Sequence, residues 1–254
     1  METKEEVLKQ CTIKGKLVKL PDVQLERPLY LQVSTTLQKI GGAWNKKEQG
    51  FLFPHDPTDL VAQVAGGVKR NLQKEFQSFY TPKGLSDHMI GLAFPSARLK
   101  KPPVTFLEPH AGEGALIHAA HRNGCKNLYW YCELDTTKHE LLENISDDGR
   151  LICNNFLDIK KYKQKNLLFD IIIANPPFAK NQDIDHIRMM YEVCAPGGRI
   201  VTVCSNHFRI VSTKKEKEFE RWLNNLNSNI DDLPQDTFKE SGANVASCLI
   251  TIDK

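Results

Sequence analysis

The residues best suited to chemistry are the four that follow the apolar run Asp170–Ala174, namely Asn175, Pro176, Pro177 and Phe178. The run predicts a buried strand, and the prolines end it because proline has no N–H to donate to a neighbouring strand. The amide and the aromatic ring are therefore held in a stiff, exposed geometry at the carboxyl end of a strand. Open α/β sheets bind their ligands at that end of their strands.

A second candidate site is the loop of the segment FLEPHAGEG, residues 106–114. Gly112 and Gly114 stand between a predicted strand and a predicted helix, where glycine lets the backbone approach a ligand and leaves the helix N-terminus open. Glu133 ends the next predicted strand, 19 residues after Gly114, and a carboxylate there can accept both hydroxyls of a ribose. The same features fit a dinucleotide site, and the glycines alone fit a plain tight turn.

Two acidic residues of this loop indicate the charge of its ligand. Glu108 and Glu113 bring negative charge to the helix N-terminus that a pyrophosphate would need, and the loop lacks the full GxGxxG pattern. Carboxylates that face the ligand favour a cation. S-adenosylmethionine carries a sulfonium, an ammonium and a ribose, and it is the predicted cofactor.

Together, the segment EPHAGEG, Glu133 and the NPPF tetrapeptide resemble the S-adenosylmethionine-dependent amino-methyltransferases that carry the motif (D/N/S)PP(Y/F/W). The resemblance covers about residues 76–254. Enzymes with this motif methylate a planar NH2 group, mostly N6 of adenine in DNA. Related motifs serve N2 of guanine in ribosomal RNA and glutamine in release factors. The resemblance thus implies an enzyme that methylates adenine N6 in DNA, of the type found in phages and mobile elements.

The resemblance assigns catalysis to Asn175, Pro176, Pro177 and Phe178. An aromatic amino group is a poor nucleophile because its lone pair is delocalised into the ring. Hydrogen bonds to the Asn175 side-chain oxygen and the Pro176 carbonyl would move the nitrogen towards sp3 and localise that pair. An extruded base would stack on Phe178, an interaction of about 1–3 kcal/mol. The methyl group then passes directly to the nitrogen, so positioning and electrostatics carry the rate.

The segment FYTP, residues 79–82, precedes the glycine loop, and NPPF follows it, which matches the gamma order of motifs in the family. In the family this segment packs over the methionine end of the cofactor. The implied contact of the cofactor adenine is Asn155, and Phe156 is the implied stacking ring. His110 departs from the small or hydrophobic residue usual in the family, and it is interpreted as a neighbour of the cofactor. The implied cofactor-binding residues are Tyr80, Thr81, Pro82, Glu108, His110, Ala111, Gly112, Gly114, Glu133, Leu134, Asn155, Phe156 and Asn175.

Residues 73–254 alternate predicted strands with predicted helices, which indicates a parallel sheet covered on both faces. Near the C-terminus, TKKEKEFERWLNNL predicts a helix that opens with a capping box of Thr213 and Glu216. TFKES and NVASCLITID then predict two strands joined through Ser241–Ala243. With the family resemblance, the predicted fold is α/β: a Rossmann-like class I methyltransferase domain whose mostly parallel seven-stranded sheet closes with an antiparallel C-terminal hairpin.

Residues 1–72 predict a separate small α+β module. TIKGKLVKL and RPLYLQV predict two strands around a turn, and STTLQKIGG predicts a helix with Ser34 as N-cap and Gly41 as stop. WNKKEQGFLFP predicts a strand or hairpin, and PTDLVAQVAGG predicts a second helix. The methyltransferase domain has little chain after NPPF for target recognition. The module is therefore the predicted second surface for nucleic acid or a protein partner, unless a partner subunit or homodimer supplies it.

The bulk properties restrict the class of protein. The chain has 254 residues, a net charge of +3 and a pI of about 8.4, which permits a nucleic-acid partner without requiring one. No apolar run approaches the ~20 residues of a membrane span, and the charged N-terminus is not a secretory signal, so no membrane partner is predicted. Seven scattered cysteines predict reduced, buried thiols and no metal site. The predicted location is the cytoplasm of a bacterium or phage-infected host, or the nucleus or nucleoid in a eukaryote.

Several functions share the NPPF motif and stay open at this point. The preferred one is DNA adenine-N6 methylation of a flipped or single-stranded base. The alternatives are methylation of adenine N6 or guanine N2 in RNA, methylation of protein glutamine, and nucleic-acid binding without catalysis. The FYTP segment favours the DNA enzyme over the RNA enzyme. Lys180, in the loop Ala179–Asp183 that follows NPPF, is the predicted cation for a phosphate beside the target base.

Overall fold

The computed structural model of the chain describes residues 3–53, 56–72, 80–95, 104–125, 128–162, 167–210, 213–239 and 245–254. The chain divides into two compact units, Met1–Ser78 and Phe79–Lys254. The predicted boundary between residues 72 and 73 falls beside residues 73–79, which lie outside the described residues, so the exact boundary stays a prediction. No helix of the described part is long and apolar enough to cross a membrane.

The described residues of the first unit pack three helices on one four-stranded antiparallel sheet. The strands are β1 (Thr12–Lys14), β2 (Leu17–Lys19), β3 (Ala43–Asn45) and β4 (Gly50–Leu52), in the order β1-β2-β4-β3. The helices are α1 (Lys4–Gln10), α2 (Arg27–Lys39) and α3 (Thr58–Ala65). Val18 and Phe51 of the sheet share one buried core with apolar residues of all three helices. The predicted hairpin and the predicted helix after Pro57 are confirmed.

The prediction of a strand at RPLYLQV is wrong, because these residues form the first half of α2. Leu29, Val33 and Leu37 recur every four residues and all contact the core, which is the periodicity of a helix face. Ser34 consequently lies inside the helix and is not its N-cap. Gly41 follows the helix end with a φ of 99°, as expected of the predicted stop. TIKGKLVKL forms a complete hairpin, β1–β2, by itself.

The second unit has seven strands and the helices that cover them. The strands are β5 (Phe106–Glu108), β6 (Tyr129–Cys132), β7 (Gly149–Cys153), β8 (Phe169–Ala174), β9 (Cys194–Ser205), β10 (Asn227–Asp232) and β11 (Ser247–Asp253). The helices are α4 (Lys83–Ala93), α5 (Ala115–Arg122), α6 (His139–Glu143), α7 (Ile159–Tyr162), α8 (Gln182–Val193), α9 (His207–Ile210) and α10 (Lys214–Asn224). Short 3₁₀ turns span Thr136–Lys138, Phe156–Asp158 and Ala179–Asn181.

The strand order of this sheet is β10-β11-β9-β8-β5-β6-β7, with strands β5 to β9 parallel and β11 antiparallel to both neighbours. This confirms the predicted mostly parallel seven-stranded sheet with an antiparallel C-terminal hairpin. The chain leaves β5 in one direction through β6 and β7 and in the other through β8 and β9. The strand order thus reverses between β5 and β8, and open α/β sheets bind ligands at such a switch point.

The central strand β8 is buried on both faces. Ile171 and Ile173 pack into the core on one side of the sheet, whereas Ile172 packs into the core on the other. All three are fully buried, and each such burial contributes about 1.5–3 kcal/mol. This double burial explains why the strand reads as an uninterrupted apolar run. It also makes β8 a rigid support for the residues that follow it.

The first strand of the C-terminal hairpin is not the predicted one. Strand β10 is Asn227–Asp232, and the described part of TFKES, Thr237–Lys239, is a turn that buries Phe238. β10 lies at the sheet edge and its residues are mostly polar, with only Ser228 and Ile230 partly buried, so it carries little of the apolar signal on which strand prediction depends. Ser241–Ala243 and Glu240 lie outside the described residues. The capping box of Thr213 and Glu216 is confirmed.

Candidate active site

The loop between β5 and α5 has two glycines in the left-handed backbone region. Gly112 has a φ of 55° and Gly114 a φ of 82°. A Cβ on Gly114 would stand 2.3 Å from Cδ1 of Ile145, so glycine is required there for packing as well as for conformation. A Cβ on Gly112 would meet no atom within 4 Å. The backbone at Gly112 therefore faces open space, as a ligand that contacts the loop requires.

The side chain of Glu133 links the loop after β5 to the residues after β6 by hydrogen bonds. Its Oε2 accepts a hydrogen bond from the Gly112 N–H at 2.6 Å, and its Oε1 accepts one from the Asp135 N–H at 2.7 Å. The loop is also joined to β6 through the Ala111 N–H, which donates to the Cys132 carbonyl at 3.0 Å. Glu133 is thus a buried carboxylate beside the glycine loop, where the sequence predicted it. Its neighbour Leu134 is exposed. Their contacts with the ribose and adenine of a cofactor stay predictions.

Glu108, the last residue of β5, is buried with a relative exposure of 1%. Burial raises the pKa of this carboxyl well above its usual value, and the negative charge of Glu133 raises the pKa further. The hydrogen bond that Oε1 accepts from the His110 N–H at 3.2 Å lowers the pKa, but its effect is smaller than that of burial. A desolvated carboxyl next to a second carboxylate is stabilised by a cation. The charge of this loop therefore suits a positively charged ligand.

His110 is half-buried and pairs with a histidine that sequence reasoning missed. Its Nε2 lies 2.7 Å from Nδ1 of His186 on α8. Burial lowers the pKa of His110 well below its usual value, with a further contribution from His186. Burial likewise lowers the pKa of His186 to about 4, against the effect of Asp185. Both rings are therefore neutral at neutral pH, and one donates to the other.

Phe156 packs against both histidines. Its ring is 5.5 Å from that of His110, edge to face, and 5.8 Å from that of His186, stacked. Only 2% of Phe156 is exposed, so its predicted stacking on an adenine stays a prediction. Asn155 is exposed, and its Oδ1 accepts a hydrogen bond from the Leu157 N–H at 3.1 Å. Its predicted adenine contact is likewise untested.

The NPPF tetrapeptide directly follows the end of β8, on the strand next to β5. The structure brings it together with the YTP segment: Asn175 donates from Nδ2 to Oγ1 of Thr81 at 3.2 Å. Thr81 is buried, Pro82 immediately precedes α4, and Tyr80 is exposed. Phe79 lies outside the described residues. The predicted methyl-acceptor site and part of the predicted methionine site are therefore neighbours.

Phe178 is largely buried, with 7% of its surface exposed. Its ring meets that of Phe238 edge to face, with 6.1 Å between centroids. Phe238 comes from the turn between β10 and β11, which sequence reasoning assigned to a strand. Pro176 is buried and Pro177 is half-buried. Tertiary packing thus sets the orientation of Phe178, and its stacking on a base stays a prediction.

The residues after NPPF adopt an unusual backbone that α10 supports. Lys180 and Asn181 have φ values of 57° and 56°, a conformation that non-glycine residues rarely adopt. Asn181 donates from Nδ2 to Oε1 of Glu216 at 2.7 Å, and Lys215 donates from Nζ to the Asn181 carbonyl at 2.9 Å. The Lys180 side chain is exposed. The capping box of α10 predicted Glu216 as a cap, but no sequence signal indicated its contact with Asn181.

The strand order, the glycine loop after β5 and the acidic residue after β6 define the class I methyltransferase fold. Comparison with protein-family models finds no match, and comparison with the curated proteins finds none. Among solved structures, the chain is similar to a candidate class I S-adenosylmethionine-dependent methyltransferase from Listeria monocytogenes, with a TM-score of 0.52 and 13% identity over 77% of this chain and 66% of that one.

Two further similar structures differ in their named roles. The M protein of the type I restriction enzyme EcoKI matches with a TM-score of 0.55 and 17% identity, over 91% of this chain and 55% of that one. TrmN from Thermus thermophilus matches with a TM-score of 0.50 and 17% identity, over 74% of this chain and 54% of that one. The chain thus spans about half the length of these two proteins. At these identities the likeness establishes the fold.

Proposed function

We propose that the protein transfers a methyl group from S-adenosylmethionine to the exocyclic N6 amino group of adenine in DNA. The observation that carries this proposal is the position of Asn175. It follows the buried central strand at the switch point of the sheet and is hydrogen-bonded to Thr81. An amide, two prolines and an aromatic ring at this place suit an acceptor site for a planar amino group.

The hydrogen bond to Thr81 gives the Asn175 amide a defined role. Because its nitrogen donates to Oγ1 of Thr81, its oxygen is the atom through which Asn175 would accept a hydrogen bond from the substrate amino group. The Pro176 carbonyl would supply the second acceptor. Two acceptors would draw the nitrogen towards sp3 and localise its lone pair. Since β8 is buried on both faces, this geometry is preorganised before the substrate binds.

The residues around the glycine loop fit S-adenosylmethionine. The buried carboxyl of Glu108 and the carboxylate of Glu133 suit a ligand with a sulfonium and an ammonium, and the open backbone at Gly112 allows close approach. When bound, the cofactor supplies an electrophilic methyl group on a good leaving group. The protein contributes binding and alignment, and Glu133 would accept the ribose hydroxyls in addition to the backbone N–H groups it already holds.

DNA is the proposed substrate because YTP precedes the glycine loop and NPPF follows it, which is the motif order of the gamma-type adenine methyltransferases that the sequence resembles. The named role of the EcoKI M protein, a subunit of a type I restriction enzyme, supports the same choice. RNA is the second candidate, since the NPPF motif serves RNA bases as well. Target recognition would come from the first unit, a partner subunit or a second copy of the chain.

The test is to incubate the purified protein with S-adenosylmethionine and, separately, duplex DNA, single-stranded DNA or total RNA. Each pool is digested to nucleosides and analysed by mass spectrometry. Asn175→Ala is run in parallel, with Asn224→Ala as the matched control, because Asn224 is an exposed residue at the end of α10. We expect N6-methyladenine in DNA only, absent with Asn175→Ala and unchanged with Asn224→Ala.

Two outcomes would contradict the proposal. If methylated nucleosides are found in RNA alone, the proposed catalytic site stands but the substrate is RNA and not DNA. Equal amounts of product from Asn175→Ala and the control would show that Asn175 takes no part in catalysis. The Tm of both variants, compared with the wild type, shows whether a loss of product arises from misfolding.

A further inference from the structure

One face of the sheet of the first unit is largely exposed, because the helices described there, α1 to α3, share the core on the other face. Side chains alternate between the faces of a strand, so the burial of Val18 and Phe51 in the core places their strand neighbours on the other side. This open sheet face includes Lys14, Leu17, Lys19 and Leu52, of which Leu17 is half-buried and the others are exposed. By the strand register, the same face also carries Thr12, Ala43, Asn45 and Gly50. Trp44, also exposed, pairs with Phe51 and therefore belongs to the covered face.

The positive charge of this unit is concentrated in its sheet. Residues 12–19 and 43–52, which form the strands and their two tight turns, contain five lysines and one acidic residue, Glu48. The remaining described residues of 3–72 contain six basic and six acidic side chains, which balance. The five lysines are Lys14, Lys16, Lys19, Lys46 and Lys47. An excess of charge confined to one layer of a small domain is typical of a surface that binds a polyanion.

The strand register places the two lysines of the open sheet face near each other. Lys19 of β2 pairs with Thr12 of β1, and Lys14 lies two residues after Thr12 on β1. The rise per residue and the spacing between strands put the two Cα atoms about 8 Å apart. The charges along one DNA strand repeat every ~3.4 Å of helix axis. Because successive phosphates also wind around this axis, they lie further apart in space than the axial rise, and both ammonium groups can contact neighbouring phosphates of one strand.

Gly50 shapes this face. A Cβ there would stand 2.8 Å from the Val18 carbonyl oxygen, 3.0 Å from Cδ1 of Leu17 and 3.2 Å from Cγ of Lys19. Because glycine has no Cβ, the side chains of Leu17 and Lys19 can lie over β4.

The turn that precedes Gly50 holds two more lysines at the Lys19 end of the sheet. Oδ1 of Asn45 accepts from the N–H groups of Lys47 and Glu48, each at 3.0 Å. Gln49 closes the turn with a φ of 51° and a hydrogen bond from Nε2 to the Lys46 carbonyl at 2.6 Å. The ordered turn keeps the side chains of Lys46 and Lys47 exposed.

We propose that the open sheet face binds the phosphate backbone of DNA. The choice of DNA over another polyanion rests on the proposed function. The binding surface itself rests on the placement of the lysines and on the composition of the face, whose described strand residues include no acidic side chain. The methyl group would then be transferred by one unit while the other holds the same DNA molecule.

The test is fluorescence anisotropy of the full chain with a labelled 30-base-pair duplex, and with one of its strands alone, over a series of salt concentrations. The variant Lys14→Gln/Lys19→Gln removes both lysines of the face. The matched control Lys9→Gln/Lys39→Gln removes two exposed lysines from α1 and α2, with the same change in net charge. We expect the slope of log K against log salt to become shallower by about 2 in the sheet variant and to change far less in the control.

Three results would overturn the proposal: no binding of either DNA by the wild-type chain, equal slopes for the two double variants, or displacement of DNA by polyglutamate at an equal charge concentration. The last would indicate an acidic protein partner. The assay needs neither cofactor nor turnover, so it fails independently of the methyl-transfer test. If DNA is methylated, the sheet variant should also raise KM for DNA and leave kcat unchanged.

Discussion

Asn175 donates a hydrogen bond to Thr81 over 3.2 Å, although 94 residues separate them along the chain. The bond joins the NPPF motif to the YTP segment, and thus the proposed methyl acceptor to the proposed methionine end of the cofactor. It also defines which end of the Asn175 amide is the acceptor. A substitution of Thr81 should therefore affect the chemical step through the orientation of Asn175.

Thr81→Val keeps the shape of the side chain and removes the hydroxyl. We expect kcat for methyl transfer to fall by about 10- to 100-fold, the range expected when a catalytic group loses its alignment. Thr81→Ser is the control, because it retains the hydroxyl and should keep most of the activity. Equal kcat values for valine and serine would show that this hydrogen bond does not position Asn175.

Glu108 should make the stability of the protein depend on pH. Burial raises the pKa of its carboxyl in the folded protein, whereas in the unfolded chain the pKa is about 4.3. Between these two values the folded state binds more protons, so the free energy of unfolding decreases as pH rises through this window. Glu108→Gln should remove this loss and raise Tm at pH 7.

The measurement for Glu108 is Tm between pH 4 and 8 for the wild type, Glu108→Gln and Glu113→Gln. Glu113 lies in the same loop and is exposed, so it is the matched control. We expect the decrease in Tm to become shallower only for Glu108→Gln. In the cofactor-binding assay the same variant should bind more weakly, since its amide cannot lose a proton to balance the charge of a bound cation.

Substitutions of the two loop glycines should affect different properties: Gly114→Ala mainly the stability of the protein, and Gly112→Ala mainly cofactor binding. Gly114→Ala combines a left-handed backbone with a Cβ 2.3 Å from Ile145, so we expect it to lower the free energy of unfolding by about 1–3 kcal/mol or more. Gly112→Ala meets no neighbour, and only its φ of 55° opposes it, at a cost of about 1 kcal/mol. Its Cβ would occupy space proposed for the ligand. Calorimetry should thus show weaker cofactor binding for Gly112→Ala at a smaller change in Tm.

Glu216 should contribute more than a helix cap. Thr213→Ala removes only the capping side chain, for about 1 kcal/mol. Glu216→Ala removes the cap and also the acceptor of Asn181, so the left-handed residues after NPPF lose their support. We expect a larger decrease in Tm and a lower kcat for Glu216→Ala, whereas Thr213→Ala should keep its kcat. Equal losses of Tm and of kcat in the two variants would show that Glu216 acts only as a helix cap.

The surroundings of an element decide how clearly its residues predict it. The runs FDIIIA and RIVTVC were predicted as strands because they are buried on both faces, so their apolar character is continuous. The segment RPLYLQV was assigned to a strand because Leu29, Leu31 and Val33 also alternate, and only the wider spacing to Leu37 reveals the helix. Strand β10 was missed because an edge strand with an exposed face needs few apolar residues.

The chemical groups of the candidate site can be recognised from the residues alone: the glycine loop, Glu133, and the NPPF tetrapeptide with its order relative to YTP. Local chemistry suffices for these, since proline ends a strand and glycine permits a left-handed loop wherever they occur. The partners of these groups depend on tertiary packing. His186 beside His110, Glu216 beside Asn181 and Phe238 against Phe178 are contacts between residues 35 to 76 positions apart. Such contacts depend on which helices and turns pack together, and no local pattern records that choice.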